Sequence, residues 1–136
     1  MNAVAVVFTL FRQAKELCMQ QNAIRTMNAD VVVHCNNALL LSEIERAMHG
    51  YNASRTTLVW TGKNAGFRDG PIDAISTLLP VLQTMQYECV AHLHADVFIY
   101  NATLFATTLA VFCTSGHAFG GFCLVLFNVH PDIFDV

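Results

Sequence analysis

Two histidines and an aspartate alternate at the end of a strongly apolar stretch of the chain. His92, His94 and Asp96 occupy every second position near the end of residues 87–99, among valine, leucine, phenylalanine and isoleucine. Alternate side chains of a strand share one face, so these three groups are expected to project together. Imidazole and carboxylate groups bind divalent cations. The pattern predicts a metal site at a strand end; the alternative is a core strand whose histidines are satisfied by internal hydrogen bonds.

A second polar segment, residues 61–70, contains the cations Lys63 and Arg68 among glycine and asparagine residues. Pro71 follows this segment, in the place that proline favours at a helix start. Backbone N–H groups at such a start, together with the two cations, are suited to hold a pyrophosphate group. The spacing matches neither GxxxxGK[ST] nor GxGxxG, so an ordinary exposed loop is the alternative.

The elements that must position these groups follow from the hydrophobic periodicity. Strands are predicted at residues 3–8, 31–34, 56–60 and 87–99, and helices at residues 11–27, 38–49 and 71–85, the last with a kink or restart at Pro80. Strand and helix alternate without hairpin turns, which predicts an α/β, Rossmann-like, mostly parallel sheet flanked by helices. Ligands bind such sheets at the carboxyl ends of the strands, where the notable polar residues fall.

The pattern is weaker after residue 98. Residues 103–112 fit either a helix or a strand, and residues 122–127 fit a further strand. No Asp, Glu, Lys or Arg occurs from Val97 to Pro131. Polar and glycine residues divide this region into apolar runs of roughly 10 residues, whereas a spanning helix needs about 20, so no membrane span is expected.

Length and composition are those of one folded domain over residues 1–136. Of the 136 residues, 54% are apolar and 12% are charged, so a core can form and disorder is excluded. Seven Lys and Arg residues and a net charge of −3 do not provide the basic face that nucleic-acid binding requires. Five cysteines, an odd number without a CxxC pair, predict reduced thiols and a cytoplasmic location.

Asn64-x-Gly66, a helix, and a strand ending in His94-Ala95-Asp96 follow one another in the chain. This order resembles the GT-A fold glycosyltransferases, the family 2-like enzymes in particular, whose strand ends in Asp-x-Asp. The small chain also resembles the compact GT-A enzymes of large viruses, for which the compartment would be the host cytoplasm. The resemblance covers residues 3–100. It implies transfer of a sugar from a nucleotide-sugar donor to a hydroxyl-bearing acceptor, a glycan or protein glycan, with Mn²⁺ or Mg²⁺ on the donor diphosphate.

The resemblance also implies roles for individual residues. Asp96 would be the main metal ligand, with His94 in the place of the first aspartate and His130 as a further ligand. The nucleotide sugar would contact Thr9, Arg12, His34 and Asn36 on the nucleotide side and Lys63, Asn64, Arg68 and His94 on the donor side. The family's turn after the second strand is usually acidic, whereas here it is His34-Cys35-Asn36. Asp132 is the candidate catalytic base, and the chain is either a compact enzyme or one domain of a longer polypeptide.

Two other classes of protein remain open. His92-x-His94-x-Asp96 resembles the His-x-His-x-Asp-His signature of metallo-β-lactamase-like hydrolases, which bind Zn²⁺ and activate water. Val97 takes the place of the last histidine of that signature, and the early sheet of that family is largely antiparallel. The other class is a non-catalytic nucleotide-binding or assembly module. Ten phenylalanines and an uncharged C-terminal region predict an exposed apolar patch that a partner or a second copy would cover.

Overall fold

Strands and helices alternate along most of the chain. The computed structural model describes residues 4–10, 14–35, 41–60, 66–94, 97–115, 119–120 and 125–128. The strands are β1 (Val4–Leu10), β2 (Asp30–Cys35), β3 (Thr56–Trp60), β4 (Cys89–His94), β5 (Phe119–Gly120) and β6 (Val125–Asn128). The helices are α1 (Ala14–Met19), α2 (Gln21–Met27), α3 (Leu41–Ala47), α4 (Gly66–Thr84) and α5 (Ala102–Thr114), with a short 3-10 helix at Ala53–Arg55.

The described strands form one sheet in the order β3-β2-β1-β4-β6-β5. The first four strands are parallel, and Thr9 of β1 is paired with His34 of β2 on one side and with His94 of β4 on the other. β6 is antiparallel to β4, and β5 is antiparallel to β6. The predicted α/β, Rossmann-like and mostly parallel sheet is confirmed. β6 overlaps the strand predicted at residues 122–127, whereas β5 and the antiparallel pairings are additions that the hydrophobic pattern does not predict.

Helices cover both faces of the parallel strands, because alternate side chains of these apolar strands point to opposite faces. On one face, Phe8 of β1 belongs to a cluster that includes Leu17 of α1 and Leu109 of α5. On the other face, Val7 packs in a second cluster with Leu82 of α4. Because helices cover both faces of the parallel strands, polar side chains are expected at the carboxyl ends of the strands instead.

The predicted helix over residues 11–27 is divided in the structure into α1 and α2. Gln20 lies between the two helices, and its side chain is buried although it is polar. Leu17, Gln20 and Ile24 follow one another at spacings of three and four residues, so all three share the inward face. The side chain of Gln20 points toward the segment that follows β4.

Helix α4 differs from its predicted form at two positions. It begins at Gly66, before the predicted start at Pro71, and it continues without interruption through Pro80. Pro80 is on the exposed side of the helix, where a carbonyl group that has lost its N–H partner can bind water. Leu78 and Leu82, on either side of Pro80, are buried against the sheet and stabilise the helix there.

Residues 103–112, for which the sequence fits either a helix or a strand, are part of helix α5. Its N-terminus is capped by Asn101, whose Oδ1 accepts a hydrogen bond from the Leu104 N–H at 3.0 Å. Leu109 and Phe112 are its buried residues. Across the described part of the chain, no helix combines the length and the apolar character that crossing a bilayer requires.

A disulfide bond joins Cys89 of β4 to Cys113 of α5, with the two Cα atoms 5.6 Å apart. The prediction of reduced thiols is therefore wrong for this pair. The two cysteines are 24 positions apart in sequence, and they meet because α5 packs on the face of the sheet to which Cys89 points. Cys18 is a free, exposed thiol, Cys35 is buried, and Cys123 lies outside the described residues.

Candidate functional site

Three of the predicted site residues lie at the carboxyl ends of neighbouring parallel strands. Thr9 of β1 is paired with His34 of β2 and with His94 of β4. The chain runs outward from β1 through β2 to β3, and β4 then lies on the other side of β1, so the strand order reverses there. A reversal of this kind opens a crevice outside the carboxyl ends of the strands, where α/β sheets bind ligands. The structure thus brings these three residues together at the predicted edge.

A buried polar bridge connects β2, β1 and β4 at this edge. The hydroxyl oxygen of Thr9 lies 2.6 Å from Nε2 of His92 and 3.2 Å from Nδ1 of His34. All three side chains are at most 4% exposed. Because a hydroxyl group carries one proton, Thr9 can donate to one ring while it accepts from the other. The bridge therefore satisfies polar groups on the face of the sheet that α4 covers.

Burial favours the neutral form of His92. Loss of contact with water lowers the pKa of His92 to about 4, and the nearby imidazoles of His94 and His34 contribute to the same shift. A neutral imidazole has one N–H donor and one acceptor nitrogen, and its Nε2 is engaged with Thr9. The interpretation of His92 as a core histidine that is satisfied by hydrogen bonding is confirmed.

His94 differs from His92 in its exposure. It is the last residue of β4, and its side chain is exposed. The centroid of its ring lies 6.1 Å from that of His92. The carbonyl oxygen of His94 accepts a hydrogen bond from the Val97 N–H at 3.0 Å. The imidazole of His94 is therefore accessible to a cation or a ligand, whereas that of His92 is not.

Gln20 fixes the segment that follows β4, a role that the sequence analysis missed. Its Nε2 donates a hydrogen bond to the Val97 carbonyl oxygen at 2.7 Å, and its Oε1 accepts one from the Ile99 N–H at 3.3 Å. The side chain is 2% exposed. The signal for this role is the helical spacing of Gln20 with Leu17 and Ile24, which places a polar amide on an apolar face. Gln20 thus anchors the main chain just after residues 95–96.

Most of the other predicted site residues lie outside the described residues: Arg12, Asn36, Lys63, Asn64, Asp96, His130 and Asp132. Arg68 lies in the first turn of α4. Four of the seven follow the last residues of β1, β2, β3 and β4 within three positions of sequence, namely Arg12, Asn36, Lys63 and Asp96. These four are therefore close in sequence to the strand ends that carry Thr9, His34 and His94.

Metal binding and family membership were both expected from the sequence. Within the ranges that the structure describes, no three His, Cys, Asp or Glu side chains are grouped so as to hold a metal ion. Asp96 and His130, two of the three predicted ligands, lie outside those ranges. No model of a known protein family matches the chain, and no curated protein matches it.

Proposed function

We propose that the chain is a metal-assisted glycosyltransferase of the GT-A type, which moves a sugar from a nucleotide-sugar donor to a hydroxyl acceptor. The observation that carries the proposal is the position of Thr9, His34 and His94 at the carboxyl ends of three neighbouring parallel strands. Nucleotides bind α/β sheets at such switch points. The Asn64-x-Gly66 loop and Asp96, which give the chain its resemblance to the family, follow the ends of β3 and β4 in sequence.

The exposed imidazole of His94 fits a role as metal ligand, because it lies outside the hydrogen-bonded bridge of Thr9 and His92. Asp96 would hold the cation together with His94, and His130 would be a further ligand. Mn²⁺ suits a site with imidazole ligands better than Mg²⁺ does. When it is bound, the cation neutralises negative charge on the departing nucleotide diphosphate.

The other proposed roles belong to residues of the chain itself. Thr9, Arg12, His34 and Asn36 are assigned to the nucleotide side of the donor, and Lys63, Asn64 and Arg68 to its diphosphate and sugar. Arginine and lysine stabilise charge on the diphosphate as the bond from the sugar to the phosphate oxygen breaks. Asp132 would accept the proton of the acceptor hydroxyl as the new glycosidic bond forms.

Isothermal titration calorimetry with UDP-sugars and GDP-sugars, in the presence and absence of Mn²⁺, tests this proposal. We expect donor binding that requires Mn²⁺ and is lost in Asp96→Ala. Glu45→Ala is the matched control, because it also removes one carboxylate but from an exposed position on α3. If the donor does not bind, or if its binding changes neither with Mn²⁺ nor in Asp96→Ala, the proposal of a glycosyltransferase is contradicted.

The same measurements distinguish the two other classes of protein. Stoichiometric zinc binding that is lost in both His92→Ala and His94→Ala would favour the hydrolase. The burial of His92 and the engagement of its Nε2 with Thr9 argue against that outcome. Nucleotide binding without transfer or hydrolysis of the donor would leave a non-catalytic binding module.

A further inference from the structure

A cavity of about 310 Å³ opens at the edge of the sheet opposite the candidate site. It is lined by Val31 and Thr56, at the amino ends of β2 and β3, and by residues of α2 and of the segment after α3. Its volume is at the lower end of the range for small-molecule sites, which begins at about 300 Å³. The amide and guanidinium side chains that line it are those of Gln21, Arg25, Asn28, Asn52 and Arg55.

Arg55 is held in a fixed position at this cavity. Its Nε donates to Oδ1 of Asp30 at 2.6 Å, and its Nη2 donates to the Asn28 carbonyl oxygen at 2.6 Å. Its Nη1 donates to Oδ1 of Asn28. The second carboxylate oxygen of Asp30 accepts a hydrogen bond from the hydroxyl of Tyr87 at 2.9 Å. A guanidinium group has five N–H donors, so two of those of Arg55 are left for a ligand.

Arg25 gives the cavity a positive charge that no carboxylate balances among the described residues. The charge of Arg55 is balanced by Asp30, with which it forms an ion pair. The guanidinium group of Arg25, in the last turn of α2, forms no hydrogen bond or ion pair with any described residue. Asn52 uses its Oδ1 to accept from the main chain and the hydroxyl of Ser54, so its amide N–H groups are left as donors. The polar wall is therefore rich in donors and has a net positive charge.

We propose that this cavity binds a small molecule that carries a phosphate or carboxylate group. The planar guanidinium of Arg25 would hold two oxygens of the anion, which is the arrangement that arginine favours with both groups. The remaining donors of Arg55 and the amide of Asn52 would complete the contacts. This site is separate from the proposed glycosyltransferase site, and neither proposal depends on the other.

NMR titration of the ¹⁵N-labelled full chain, with inorganic phosphate in one series and malonate in another, tests the proposal. We expect at least one series to give saturable shifts of the backbone amides of Asn28 and Asn52, and the tighter series identifies the preferred anion. Arg25→Gln should weaken binding about tenfold or more, because a charge-assisted pair of hydrogen bonds is lost. Arg46→Gln is the matched control, since Arg46 is also an exposed arginine in the last turn of a helix but lies outside the cavity wall.

Two results would overturn the proposal. One is the lack of saturable shifts at Asn28 and Asn52 with both phosphate and malonate. The other is an equal loss of affinity in Arg25→Gln and Arg46→Gln, which would show attraction to surface charge in general. Because Arg25 is exposed, its replacement is expected to leave the fold intact, and the amide spectrum of the free variant checks this directly.

Discussion

The hydroxyl oxygen of Thr9 lies 2.6 Å from Nε2 of His92, a contact that joins the central strand of the sheet to its neighbour across 83 positions of sequence. The same oxygen lies 3.2 Å from Nδ1 of His34 on the other neighbouring strand. The hydroxyl group of Thr9 is therefore within hydrogen-bonding distance of two buried imidazoles, at the edge where ligand binding is proposed. Its loss would affect the stability of the protein and the position of the strand ends together.

Thr9→Val tests this contact, because valine has nearly the shape of threonine but has no hydroxyl group. We expect the free energy of unfolding to fall by about 1–3 kcal/mol for each of the two hydrogen bonds, since polar ring nitrogens lose a partner in a buried site. Urea denaturation followed by circular dichroism measures the change. Thr9→Ser keeps the hydroxyl and should retain most of the stability; an equal loss in the two variants would contradict the role of the hydroxyl.

The low pKa of His92 predicts a dependence of stability on pH. The ring titrates near pH 4 in the folded protein and near its ordinary value of 6.5 in the unfolded chain, so between these values the unfolded chain binds more protons. Stability should therefore fall as the pH decreases from 6.5 toward 4. The contribution of one such group is at most about 1.4 kcal/mol per pH unit.

Comparison of His92→Gln with the wild-type protein isolates this contribution from that of the other titrating groups. The slope of unfolding free energy against pH, measured by urea denaturation, should be shallower in His92→Gln over the range from 6.5 to 4. His49→Gln removes an exposed histidine and serves as the control. If the two variants have the same slope as the wild-type protein, His92 is not the source of the dependence.

Gln20 allows a sharper test at a single amide. Gln20→Leu retains the volume of the side chain but removes its hydrogen bonds to Val97 and Ile99. We expect hydrogen exchange at the Ile99 amide to become faster, because that N–H loses its acceptor. Gln83→Leu, at an exposed position of α4, is the control. Unchanged protection of Ile99 in Gln20→Leu would show that other contacts hold this segment.

The disulfide bond between Cys89 and Cys113 is expected to stabilise the fold. It closes a loop across 24 positions of sequence, for which the loss of chain entropy in the unfolded state corresponds to about 3 kcal/mol. Cys113→Ser should lower the free energy of unfolding by about that amount, and treatment of the wild-type protein with a reductant should have a similar effect. Cys18→Ser changes a free, exposed thiol and should have little effect. Equal stabilities of oxidised and reduced wild-type protein would contradict this prediction.

The parallel sheet could be predicted from the sequence because its strands carry a strong local signal. The apolar, β-branched runs at Ala5–Phe8 and Val31–Val33 are short and flanked by helical patterns, and burial of both faces leaves few other arrangements. The alternation of strands and helices also predicted the edge of the sheet at which Thr9, His34 and His94 meet. Element boundaries and pairings that depend on distant residues were harder to predict.

Three features escaped prediction for one physical reason, namely that distant contacts overrode the local pattern. The helical spacing places the polar side chain of Gln20 on an apolar face, but the local pattern does not indicate its partners, which are in the segment 97–99. Cys89 and Cys113 have no informative spacing, and the packing of α5 brings them together. Pro80 weakens a helix locally, yet the buried stripe of α4 outweighs its effect.

The central position of β1 has a consequence for synthesis of the protein. Of the described strands, β1 leaves the ribosome before the others, and β2 can pair with one of its edges once Cys35 has emerged. Its other edge pairs with β4, so it remains open until residues 89–94 have emerged from the ribosome. An apolar strand with an open edge is a template for aggregation. Nascent chains that end before Cys89 are therefore the species most dependent on chaperones, and release from that dependence should coincide with the appearance of β4.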